Sequence, residues 1–134
     1  MKEKKPFQLK NVLSISIAHF VHDTYTAFLA PIVPLLKAKL GINNTMVSLL
    51  FVAQQIPNLL NPLIGIIADN LKVRYFVILA PALTTICMSL LGVSPYYSLI
   101  LVLLFVVGLS SAMFHVPTPV LIKKISGDRI GKGM

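Results

Sequence analysis

Acidic residues are scarce in this chain: four Asp and Glu stand against twelve Lys and Arg in 134 residues. Cysteine is scarcer still. Cys87, the single one, lies in an apolar stretch without a partner, which excludes a disulfide framework and reads as a packing residue. Between Tyr75 and Ile122 there is no charged residue at all. These absences exclude an ordinary water-soluble globular domain. What fills the gaps agrees, with 56% apolar and 12% charged residues and a mean hydropathy of +0.84, a membrane-type composition.

Four apolar stretches stand out, at residues 11–36, 43–68, 74–92 and 96–122. Each is long enough to cross a hydrocarbon core of about 30 Å at about 1.5 Å per residue. The expected fold is an all-α membrane protein with four transmembrane helices. Lys2, Lys4, Lys5 and Lys10 precede the first stretch, Lys72 and Arg74 lie between the second and third, and Lys123, Lys124, Arg129 and Lys132 follow the fourth. All of these fall on one side of a four-span chain; only Lys37 and Lys39 fall on the other. The positive-inside rule then puts the N-terminus in the cytoplasm; the membrane expected is a plasma (inner) membrane of bacterial or archaeal type. Basicity here sets topology, and no nucleic-acid partner is expected. A signal peptide is excluded because the first run outlasts an h-region of about 7–15 residues and is interrupted by His19, His22 and Asp23.

Punctuation supports the same division. Gly41 reads as a helix stop and Asn43, Asn44 and Thr45 as candidate caps for the second helix. Tyr96 and Tyr97 suit the interfacial belt. Seven of nine prolines fall inside the spans, at 31, 34, 57, 62, 81, 117 and 119, where neighbouring helices or water satisfy the freed carbonyls. Kinked helices suit a protein that opens and closes, and are also ordinary in membrane bundles.

Asp23 is the one acidic residue inside any span. A carboxylate at the bilayer midplane costs about 2.5–3.5 kcal/mol on insertion scales, so it points to an ion or substrate site on a water-filled cavity. His19 stands four residues before it, on the same helix face; His22 is displaced by about 60°. Thr26 continues the Asp23 side one turn later. His115, in the fourth span, lies at nearly the same depth from the cytoplasmic face as His19, about 10–12 Å by helix rise. A cavity shared by the first and fourth spans would join His19, His22, Asp23 and His115 in one polar patch. Imidazoles titrate near neutrality, so the patch reads as proton or substrate handling. The alternative is a His–Asp hydrogen bond that locks two helices. Three histidines and an aspartate permit metal ligation, but no dedicated ligand spacing calls for it; no metal and no cofactor is expected. Gln54, which stands with Gln55, Asn58 and Asn61 in the second span, is a further cavity candidate.

The end of the second span reads Gly65-Ile66-Ile67-Ala68-Asp69-Asn70-Leu71-Lys72-Val73-Arg74. This resembles the loop between helices two and three of the major facilitator superfamily, G-x-x-x-D-[RK]-x-G-[RKx]-[RK]. Gly65, Asp69 and Arg74 match in register, whereas Asn70 replaces a basic residue and Lys72 a glycine. Ala18-His19-Phe20-Val21-His22-Asp23, leading to Pro31 and Pro34, is similar to the first helix of that superfamily's fosmidomycin-resistance-type branch. Gly108-Leu109-Ser110-Ser111-Ala112-Met113-Phe114-His115-Val116-Pro117 is similar to that branch's fourth helix, with Val116 inserted between His115 and Pro117.

The resemblance implies a secondary transporter without catalysis, probing its substrate by rocking of helix bundles about a midplane site. It implies a gating role for Gly65, Asp69, Lys72 and Arg74, and a central cavity lined by helices one and four. The family has twelve helices, so residues 1–134 read as the N-terminal part, cut before helix five and needing the remainder. The expected function is proton-coupled export of small organic or drug-like compounds, with the lipid bilayer, a small-molecule substrate and protons as partners. Two alternatives stand beside it: a four-helix membrane scaffold or inert fragment, and an oligomeric exporter like the small multidrug-resistance proteins.

Overall fold

The computed structural model describes residues 6–70, 73–129 and 131, and all regular structure among them is helical. The first span consists of α1 (Leu9–Ala27) and α2 (Leu29–Leu40); the second of α3 (Asn44–Gln55), a 3₁₀ helix (Ile56–Leu60) and α4 (Asn61–Asn70). The third is α5 (Val73–Leu91), and the fourth α6 (Tyr97–His115) with α7 (Thr118–Ser126). Three of the four, Asn44–Ala68, Arg74–Leu91 and Tyr97–Ser126, are long and apolar enough to cross a membrane. The first is diluted by His19, His22 and Asp23 and divided at Phe28, so it carries a weaker hydropathy signal than the sequence boundaries suggest.

Proline chemistry places the breaks. Proline has no N–H and its ring crowds the carbonyl four residues earlier. Pro31 stands four residues after Ala27, the last residue of α1, and Pro119 stands four after His115, the last of α6. Pro57 falls inside the 3₁₀ segment, where the chain tightens its hydrogen bonding. Pro62 and Pro119 sit in first turns, where the missing N–H costs nothing.

The connections are capped by side chains. Gly41 adopts φ 64° and closes α2, returning its N–H to Lys37 O at 2.9 Å. Of the three candidate caps, Asn43 serves α3, its Oδ1 accepting from Met46 N at 2.9 Å. Lys37 Nζ donates to Asn44 Oδ1 at 2.8 Å, and Lys39 Nζ donates to the carbonyls of Gly92 and Ser94 at 2.9 and 3.0 Å. Lys39 therefore neutralises the negative end of α5.

Two apolar clusters hold the bundle. Leu29, Leu36, Leu50, Met88, Leu91, Ile100 and Leu104 pack in the half nearest the α2–α3 connection. Val12, Ile15, Val77, Ala80, Phe114 and Ile125 pack in the other half. Between α5 and α6, Ser110 Oγ donates to Ala80 O at 2.7 Å; having spent its proton there, it accepts from Thr84 Oγ1 at 2.8 Å. Hydroxyls that bond across helices in this way replace the hydrophobic drive that lipid does not supply. Leu13, Ile17 and Phe20 share an outward face of α1 and are exposed, as lipid-facing side chains should be.

The second and fourth spans run side by side in the same direction. Tyr97 Oη donates to Met46 O at 2.8 Å near their starts. Midway, Gly108 lies against Gln54 and Pro57 so closely that any Cβ would collide with the Gln54 carbonyl and approach Pro57 Cδ to 3.0 Å. Gly65, by contrast, has room: a Cβ there would meet Val116 Cγ1 at an ordinary 3.7 Å.

Candidate functional site

The break after α6 and the polar stretch of α1 meet at one place. His19 and Asp23 stand one turn apart on α1, and His19 Nε2 lies 3.0 Å from Asp23 Oδ2. His115 Nε2, from the end of α6, lies 3.3 Å from Asp23 Oδ1. One carboxylate therefore receives an imidazole on each oxygen, from two different spans. All three side chains are about half exposed, at 45%, 52% and 43% for His19, Asp23 and His115, so the pair is not sealed in the bundle.

Phe114 forms the floor. It is fully buried, and its ring lies 5.5 Å from both His19 and His115 and 4.9 Å from His22. These are ordinary aromatic packing distances, and they restrict the two site imidazoles to few orientations. Sequence reasoning assigned Phe114 no role; its position next to His115 was the available signal.

His22 is placed differently from the expectation. It is fully buried, stacked on Phe114 at an interplanar angle of 22° and 5.3 Å from His115, and neither ring nitrogen has a hydrogen-bond partner. The 60° offset from His19 is enough to turn it from the cavity into the helix interface. A buried polar group without a partner costs about 1–3 kcal/mol.

Thr26 and Gln54 come together. Thr26 Oγ1 donates to Asp23 O at 2.9 Å, and Gln54 Nε2 donates to Thr26 O at 3.2 Å, tying the second span to the first. Both line an open cavity of about 450 Å³ with Gln55, Asn58, Ser111 and Phe51. Ser111 is one turn before His115 on α6, and Thr26 one turn after Asp23 on α1. The two facing helices thus continue the His–Asp cluster directly into the cavity.

Two of the loop residues are described. Gly65 lies in α4 beside Val116, and Arg74 lines a separate recess of about 300 Å³ with Asn11, Ser14 and Leu121. The side chain of Asp69 and the whole of Lys72 lie outside the described residues.

Helices interrupted at prolines and an apolar exterior are those of a multi-pass membrane protein, in which the His–Asp cluster lies one helical turn from an amide-lined cavity. The sequence profile of the Major Facilitator Superfamily matches residues 15–134. The chain belongs to that superfamily and is a membrane transporter of small molecules, not an enzyme family member. Searches of curated proteins and of solved structures gave no significant match.

Proposed function

We propose that this transporter is a proton-coupled exporter of small organic or drug-like compounds, akin to the fosmidomycin-resistance-type branch. It sits in the plasma membrane with its N-terminus cytoplasmic, and its four spans act as the first four helices of a larger bundle. The observation that carries the reading is the Asp23 carboxylate, paired with His19 and His115 from two spans, one helical turn from Thr26 and Ser111 in the lining of a cavity of about 450 Å³. A proton taken by this cluster changes the bonds between the first and fourth spans, so protonation and helix rearrangement become one event. His22 supports the cluster from behind, and Thr26 and Gln54 contact the substrate.

At the cytoplasmic end, Gly65, Asp69, Lys72 and Arg74 form the gate. The two outer lysines support the orientation, because Lys37 is bonded to the Asn44 side chain and Lys39 to the carbonyls that follow α5 rather than left as a free positive patch.

The full-length protein in proteoliposomes tests this. Asp23→Asn should abolish transport driven by a pH gradient while substrate exchange without a gradient persists. Gradient-driven transport at the wild-type rate would remove Asp23 from coupling, and dependence on a sodium gradient instead would identify the wrong ion.

A further inference from the structure

We propose that His19, Asp23 and His115 form a binding site for a divalent transition-metal ion of the zinc, cobalt or nickel kind, open toward the amide-lined cavity. Their donor atoms, one from each residue, all lie within 4.8 Å of one another. Ligands at about 2.0–2.1 Å around a tetrahedral ion sit about 3.3–3.5 Å apart. The contacts of 3.0 Å from His19 to Asp23 Oδ2 and 3.3 Å from His115 to Asp23 Oδ1 are near that spacing, and closing the set around one ion would draw the three donors together from within 4.8 Å.

The chemistry of the donors chooses the ion. Two imidazoles and one carboxylate suit borderline cations, whereas magnesium and calcium require sets made of oxygen. Phe114 contacts both ligand rings and orients them in advance. The half-exposed side of the cluster leaves a coordination position for water or a substrate group. Behind it, buried His22 packs against His115 with both nitrogens unbonded, a third imidazole with no hydrogen bond to give up.

The site stands on this donor geometry and does not require proton coupling, although a bound ion would occupy the same carboxylate. The test is a titration of the full-length protein, purified without a polyhistidine tag in nanodiscs, with cobalt(II) followed by its visible absorption. One saturable equivalent is expected, displaced by zinc and not by magnesium. His115→Ala and Asp23→Asn should each weaken it at least about tenfold. His115→Gln serves as a second variant, and thermal unfolding in metal-free buffer confirms that each is folded. No saturable cobalt binding, or binding unchanged in all three variants, overturns the inference. The proton reading falls separately: metal binding with intact gradient-driven transport in Asp23→Asn overturns that reading alone, and lost transport without metal binding overturns this one alone.

Discussion

His115 meets the Asp23 carboxylate at 3.3 Å as the last residue of α6, four residues before Pro119. The site histidine thus stands where the helix of the fourth span is interrupted between α6 and α7. Substituting Pro119→Ala restores an N–H that can reach the His115 carbonyl and removes the ring that crowds it. The expected result is a straighter fourth span, with a higher unfolding temperature and transport slowed severalfold. Transport and thermal unfolding measured together check this; unchanged transport with a raised unfolding temperature would show that the bend has no part in the cycle.

Gly108→Ala and Gly65→Ala should behave oppositely despite being the same exchange. A methyl at 108 meets the Gln54 carbonyl and Pro57, which are backbone and ring and have little freedom to move; a methyl at 65 meets one Val116 methyl at 3.7 Å. Overpacking of this kind costs about 1–3 kcal/mol. Thermal unfolding in detergent should drop clearly for Gly108→Ala and hold or rise for Gly65→Ala. A larger loss at 65 would mean that the second and fourth spans do not pack in this register.

His22→Leu is expected to leave stability unchanged or improve it. The exchange removes an imidazole whose nitrogens are both unpaired, relieving about 1–3 kcal/mol, and forfeits a stacked contact with Phe114 worth about 0.5–1.5 kcal/mol. Denaturant unfolding of wild type and variant gives the difference. A loss beyond about 2 kcal/mol would show that His22 has a hydrogen-bond partner in the membrane.

Much of the fold was legible because its signals are local. Gly41, Asn43 and the prolines act on their own helix, so the stop, the cap and the breaks follow from single residues. The meeting of His115 with the polar stretch of the first span was also legible, because helix rise alone equates the depths of His19 and His115. What the sequence withheld needed the contact between helices. Nothing in the order of residues says that Gly108, rather than Gly65, receives a neighbouring backbone. Nor does it say that a 60° offset carries His22 out of the cavity while His19 remains in it, since which face of α1 meets α6 is decided by packing.

Gln54 separates substrate binding from coupling. Its side chain lines the cavity and donates to Thr26 O, yet it touches none of the three cluster residues through a hydrogen bond. Gln54→Leu keeps the bulk and removes the amide, at a cost of about 0.5–1.5 kcal/mol for a lost hydrogen bond. If the amide contacts the substrate, KM rises by about two- to tenfold while the protons moved per substrate stay the same. Asn58→Ala is the matched comparison, because Asn58 lines the same cavity but bonds only to Gln55 in its own span. A loss of coupling in Gln54→Leu with KM unchanged would place the amide in the conformational link between the first and second spans instead of in substrate recognition.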